Sequence, residues 1–174
     1  MRKKILHITQ TAMLIALLVL LQIFTKASGQ FVTGSCVNGV LAVSVLFCGL
    51  SSGVIVAAVS PFFAFLLGIG PQFIAVVPTI AVGNVVFVLI LYFLSAQKEI
   101  SLWRQGLGWL CAACGKALTL YLLAVQLLCR ILPLAEKQIT TITAMFSWPQ
   151  LVTALIGGGV ALFIVPILRK AFRR

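Results

Sequence analysis

The chain has 174 residues, 62% of them hydrophobic and 9% charged, with a mean hydropathy of +1.21 and a formal net charge of +11. Soluble domains run at about 45–50% apolar residues, so composition excludes a water-soluble fold and leaves an integral membrane protein the size of one domain. The basic residues bracket apolar spans, so the positive-inside bias and anionic headgroups account for the charge, and no nucleic-acid partner is expected.

Composition also removes several chemistries. Glu99 and Glu136 are the only acidic residues, so no apolar span offers a carboxylate for a proton relay or a sodium site. There is no Gly-rich phosphate loop ending in Lys-Ser/Thr, so ATP hydrolysis by that route is not expected. No metal-binding set and no nucleophile–base pair is evident, so neither a cofactor nor a catalytic role is expected. The five cysteines are an odd number in apolar surroundings, which does not describe a disulfide framework. Cys111 and Cys114 match Cys-x-x-Cys but lack a nearby His or carboxylate, so they read as small helix-packing residues.

The N-terminal Met1-Arg-Lys-Lys4 and the apolar run after it resemble a signal peptide. The run continues to Phe24 without a clean cleavage site, so it reads as a retained first span over residues 5–25. His7 falls at its edge as an interfacial residue rather than a ligand. Ala12 and Ala16, four apart, form a small face that lets another helix approach. Residues 26–34 form a polar connection. From Ala27 to Gln97 no residue is charged, and that tract holds three helices of ~20 residues each. The breaks place them at 35–50, 53–70 and 73–95, with a tight Gly-bearing turn over residues 49–53.

Asn38 and Asn84 each lie one turn inside a span, where a buried amide bonds either another helix or a ligand. Pro61 removes a backbone bond in the third span and should kink it. The uncharged stretch 60–84 is broken at Gly68, Gly70, Pro71, Pro78 and Gly83. Broken backbone at that depth must face protein or a cavity, so the stretch reads as a re-entering connection or as a tight outer loop. It offers Gln72, Thr79 and Asn84 to a ligand.

A polar break at 96–105 precedes the fifth span, 106–130, with Trp103 and Trp109 suited to an interface belt. Lys116 lies near the middle of that span. A lysine at bilayer depth costs about 2.5–3.5 kcal/mol on insertion scales. It therefore faces a wet cavity, carbonyls, an anionic ligand or a partner; the alternative is a shifted span that leaves it near the headgroups. Residues 130–147 read as an outer loop lying on the membrane or folded over the top. Ser147 and Pro149 start the sixth span, 151–168, in which Gly157, Gly158 and Gly159 give a flat face for close packing or a ligand.

The fold expected is thus an all-α integral membrane protein with six transmembrane helices and both termini cytoplasmic. That topology puts nine basic residues inside: Arg2, Lys3, Lys4, Lys98, Arg104, Arg169, Lys170, Arg173 and Arg174. It leaves Lys26, Arg130 and Lys137 outside.

The six-span pattern, the basic start running into Thr11-Ala-Met-Leu-Ile-Ala16, and the Gly/Pro-interrupted segments 29–34 and 68–78 together resemble the substrate-binding S components of energy-coupling factor (ECF) transporters. The resemblance covers nearly the whole chain. It implies a prokaryotic plasma-membrane subunit that captures a small, vitamin-like solute. Separate partners, a membrane coupling subunit and ATPase subunits, would energise uptake. In that family an Ala-x-x-x-Ala face on the first helix docks on the coupling subunit; Ala12 and Ala16 hold that position here. The first outer loop would be a lid at about residues 26–33. The candidate solute contacts are Gln30, Asn38, Gln72, Asn84 and Lys116, the lysine favouring an anion. The rival reading is a non-transporting structural or regulatory membrane subunit, with Lys116 paired to a partner's carboxylate. A membrane enzyme acting on lipid headgroups lacks the acid–base residues it would need.

Overall fold

The computed structural model describes residues 2–70, 72–95 and 101–172. Pro71, Lys98, Glu99, Arg173 and Arg174 lie outside the described residues. Regular structure among the described residues is helical throughout: α1 (Arg2–Thr25), α2 (Gln30–Val43), α3 (Leu50–Leu66), α4 (Val76–Ser95), α5 (Leu102–Leu120), α6 (Cys129–Ile131), α7 (Glu136–Phe146) and α8 (Trp148–Ala171). A π-helical segment, Ser44–Cys48, extends α2. A second, Tyr121–Leu128, joins α5 to α6 in one rod of 30 residues.

Five stretches are long and apolar enough to cross a membrane. The apolar α3 has 17 residues, about 25 Å of helix against a hydrocarbon core of about 30 Å. The expected spans correspond to α1, α2, α3, α4, α5 and α8. Several boundaries differ, and three departures have a clear local reason. First, α2 starts at Gln30 rather than 35. The supposed polar loop is a 3-10 turn, Lys26–Ser28, a bend at Gly29 (φ +84°) and the first turn of α2. Thr33 makes this compact: its hydroxyl donates to the Thr25 carbonyl over 2.8 Å and its N–H to Gly29 O over 3.1 Å, tying the end of α1 to the start of α2.

Second, Gly49 alone (φ +99°) makes the turn into α3, which therefore begins at Leu50. Gly53 is a packing residue instead: a Cβ there would sit 2.8 Å from both Val45 Cβ and Val88 Cγ1. Third, residues 136–146 are a helix. Gln138 Oε1 accepts from the Ala135 N–H over 3.1 Å at its start. Its buried side chains Ile142 and Phe146 pack with Val76, Leu120 and Ala124, so α7 folds over the ends of α4 and α5. Ser147 precedes α8 but does not cap it; its hydroxyl donates 2.5 Å back to Thr143 O, one of the last carbonyls of α7.

The main core joins α2, α3, α4, α5 and α8 through Leu41, Val45, Val56, Phe87, Leu91, Ala112 and Ala161. The glycine run in α8 is for close packing. A Cβ on Gly157 would meet Ser35 O at 2.3 Å and Gly39 N at 2.6 Å on α2; one on Gly158 would meet Trp109 Cδ1 at 2.5 Å. Trp109 is accordingly a packing residue rather than an interface anchor, whereas Trp103 is exposed. Helix α1 sits outermost. Its buried stripe, Thr11, Leu18 and Gln22, faces the bundle, while Ala12 and Ala16 are exposed. The start of α1 and the end of α8 lie at one end of the bundle, where His7 Nε2 lies 3.1 Å from Ser52 Oγ and Arg169 donates to Leu46 O over 2.7 Å.

Replacing Gly157 by Ala is expected to destabilise the protein by about 1–3 kcal/mol, the usual range for overpacking, because backbone rather than a mobile side chain opposes the new methyl. Thermal unfolding in detergent checks this, with Gly106→Ala, whose Cβ would meet nothing within 4 Å, as the unaffected control.

Candidate functional site

A cavity of about 310 Å³ lies between α1, α2, α3, α4, α5 and α8, towards the end of the bundle away from the chain termini. Its polar lining comes from Gln22, Lys26, Gln30, Thr33, Asn38, Ser60, Asn84, Lys116 and Gln150. Four of the five predicted contact residues, Gln30, Asn38, Asn84 and Lys116, therefore converge on one space. Gln72 does not: it is exposed on the connection between α3 and α4. Gly68 (φ +67°) and Gly70 (φ +79°) bend that connection so that 68–70, not Gln72, covers the cavity. The stretch is thus a connection that walls the mouth.

Lys116 is 3% exposed, so it lies inside the protein rather than on its outer surface. Its ammonium donates to Asn38 Oδ1 over 2.5 Å and stands 5.8 Å from the centroid of the Phe87 ring. An ammonium has three donors, so this one keeps capacity towards the cavity. Asn38 in turn donates through Nδ2 to Thr153 Oγ1 over 3.2 Å. The amide therefore bonds the neighbouring helix, one of the two roles expected for it, and it also holds the Lys116 ammonium.

The second asparagine answers to Pro61. Pro61 has no N–H for the carbonyl of Ala57 four residues earlier. That carbonyl instead accepts from Ser60 Oγ at 3.3 Å and from Asn84 Nδ2 at 3.5 Å. Asn84 Nδ2 also lies 3.0 Å from Ser60 Oγ. Helix α3 runs on through Pro61, and α4 supplies the missing partner.

The mouth is held by side chains bonded to carbonyls at helix ends. Lys26 Nζ donates to Leu67 O over 2.8 Å. Met145 O accepts from Gln30 Nε2 at 2.6 Å and from Gln150 Nε2 at 3.2 Å. Gln22 and Gln150 were not anticipated. Gln22 carries the signal that marked Asn38 and Asn84, a lone amide inside an apolar span; Gln150 lies in the first turn of α8 and has no such contrast.

A second cavity, about 400 Å³, lies at the opposite end among Leu46, Ser95, Gln105, Leu162, Val165, Pro166, Arg169 and Lys170. The five cysteines are all free, with Cys111 and Cys114 exposed on the outer face of α5.

The chain is thus a multi-helix bundle of apolar helices around a cavity that holds a buried lysine. The family model for the substrate-specific component of ECF transporters matches residues 6–169, and the chain belongs to that family. Its members are substrate-binding subunits of transporters rather than enzymes, and they work with a membrane coupling subunit and ATPase subunits; this is a multi-pass plasma-membrane protein. The chain matches none of the curated proteins and none of the solved structures with which it was compared.

Asn38→Leu should cost about 2–3 kcal/mol, because it strands a buried ammonium; the Thr153 hydroxyl keeps its bond to Gln150 O. Adding Lys116→Met to it should recover most of that loss. A double-mutant cycle on unfolding in detergent checks the coupling; additive losses would mean that the pair is not a unit.

Proposed function

We propose that this protein captures a small, vitamin-like anionic solute at the outer face of a prokaryotic plasma membrane and releases it inward, driven by its coupling and ATPase partners. The observation that carries this reading is Lys116, a buried cation in a span without carboxylates, bonded to an amide and lining a cavity walled by Gln30, Asn38 and Asn84. The positive-inside bias favours the side assignment: with both basic chain ends inside, the cavity's mouth opens outside.

In this reading Lys116 attracts the solute's negative group, and Asn38 holds the ammonium in place. The mouth closes where the Lys26–Ser28 turn, the first turn of α2, the 68–70 connection and the end of α7 meet. The Lys26 and Gln30 bonds to helix-end carbonyls are the closures to be released for entry, since bonds at a wet mouth exchange readily with water. Ala12 and Ala16 form the docking face for the coupling subunit. Both are exposed, on the side of α1 away from its buried stripe, and small residues there allow close helix approach.

Lys116→Ala is expected to reduce solute binding by tenfold or more while the protein still purifies as a folded species, measured by equilibrium binding on purified protein; equal binding by both proteins would remove Lys116 from the site. Ala12→Leu should leave solute binding intact and abolish copurification with the coexpressed coupling subunit. Native mass spectrometry of the gently purified assembly reads both.

A further inference from the structure

The cavity at the chain-terminus end of the bundle has a lining that is half polar and half aliphatic. Arg169, Lys170, Gln105 and Ser95 supply the polar half, and Leu46, Leu162, Val165 and Pro166 the apolar half. The lining contains no carboxylate. Ser95 Oγ donates to Gln105 O over 3.3 Å, which ties the end of α4 to the start of α5. Arg169 reaches from α8 to the π-helical extension of α2, where its half-buried guanidinium donates to Leu46 O over 2.7 Å. A guanidinium is a rigid fork of several N–H donors, so that one bond orients the others without using them up. Lys170 is exposed and has no hydrogen-bond or ion-pair partner among the described residues. Both cations therefore line one cavity with donors to spare.

The chemistry that fits is a phosphate-class anion, whose oxygens a guanidinium fork and an ammonium hold by charge-assisted bonds. The apolar half of the lining narrows the source. The volume of about 400 Å³ corresponds to about thirteen waters at their share of liquid volume. That is far more than one phosphate ion fills, and a free ion gains nothing from Leu46, Leu162 and Val165. An amphipathic molecule uses both halves. The outer edge of the cavity agrees. Pro166 and Lys170 line it and are exposed. At about 100° per residue, Phe163 and Ile167 come next round α8, and they are 79% and 68% exposed. Ile167 lies about 4.5 Å and Phe163 about 10.5 Å of helix rise from Lys170 towards the bilayer centre. An apolar strip thus runs from the cations into the membrane, the direction an acyl chain takes.

We infer that this cavity is a site for an anionic phospholipid of the cytoplasmic leaflet. The headgroup phosphate lies against Arg169 and Lys170, and one acyl chain passes Pro166 and runs along Ile167 and Phe163. A lipid seated there touches α2, α4, α5 and α8 at the end of the bundle where they are joined by single bonds, and so holds four helix ends together. The leaflet follows from the inside placement of the basic chain ends. The site itself lies at the opposite end from the Lys116 cavity and does not depend on what that cavity captures.

The test uses the full-length protein, stripped of lipid in mild detergent, with phosphatidylglycerol as the probe. Phosphatidylcholine is the zwitterionic control and inorganic phosphate the free-ion control. Native mass spectrometry counts retained lipid, and thermal unfolding reads the rise in midpoint that the lipid produces. The wild type should retain phosphatidylglycerol in preference to phosphatidylcholine, and inorganic phosphate should not displace it. Lys170→Gln should weaken retention about fivefold, the worth of one basic residue near an anionic surface. Its lipid-free midpoint should match the wild type's, because Lys170 bonds nothing in the protein. Arg169→Lys, which keeps the charge but loses the fork, should also weaken retention. Lys4→Gln removes an exposed charge at the same end but outside the cavity, and should leave retention unchanged. Equal weakening by Lys4→Gln and Lys170→Gln would mean diffuse surface attraction and would overturn the site. So would equal retention of the two lipids, or retention unchanged by both Lys170→Gln and Arg169→Lys. Displacement by inorganic phosphate would overturn the lipid as the source of the anion.

Discussion

A buried ammonium with no carboxylate to neutralise it is the constraint around which this bundle is built. Lys116 lies 3% exposed in α5, and the chain's two acidic residues lie outside the six apolar helices. The cation is instead stabilised by dipoles: the Asn38 amide oxygen at 2.5 Å and the face of Phe87. An amide is a weaker partner than a carboxylate, and that difference matters. A carboxylate would close the site electrostatically, whereas an amide holds the cation in position and leaves its charge uncompensated. The same amide bonds Thr153 on α8, so the group that orients the cation also joins two of the helices around it. Close packing of α2 on α8 at Gly157 is what brings Asn38 and Thr153 within reach of one another.

A second polar joint follows the same logic at the backbone level. Pro61 frees the Ala57 carbonyl inside α3, and Ser60 and Asn84 take it up. Backbone polar groups at membrane depth must be satisfied by the protein or by a wet cavity. Here an amide from α4 crosses to do so, and its own oxygen is left buried without a donor among the described residues. Asn38 uses both ends of its amide, with its nitrogen spent on α8 and its oxygen on the cation.

Much of this was legible in the sequence because a lone polar residue in an apolar run is costly, and cost marks position. Asn38, Asn84 and Lys116 stood out on that ground, and the helices that carry them brought all three to one cavity. Gln30 also reached the cavity, though as the first residue of a helix rather than as part of a loop. The same argument applied to Gln22 would have found it. Gln72 misled because its neighbourhood of broken backbone was informative while its own direction was not; two positive-φ glycines decide which part of the connection turns inward, and φ is not written in a hydropathy pattern. Residues 136–146 lie in a stretch, 130–147, that reads as an outer loop with a Thr-rich middle. They form a helix because Ile142 and Phe146 find a tertiary seat on α4 and α5. Local propensity is overridden there by packing, which no local window contains.

The two ends of the bundle are held by different kinds of contact, and that difference has a direction. Deep in the bundle, glycines bring backbones and ring faces together, as at Gly157 on Ser35 and Gly158 on Trp109. Such contacts are non-directional, numerous and lost only if whole helices separate. At the mouth the contacts are single bonds from long side chains to terminal carbonyls: Lys26 to Leu67, and Gln30 and Gln150 to Met145. Water can replace each of these, so breaking one at a wet surface costs about 0.5–1.5 kcal/mol net. Motion that admits a solute therefore costs least where the 26–28 turn, the 68–70 connection and the end of α7 meet. The seat of Lys116 and Asn38 stays fixed by the packing beneath it. A rigid floor under a cheaply opened mouth is what a site needs if it is to recognise a solute by fixed dipoles and still exchange it.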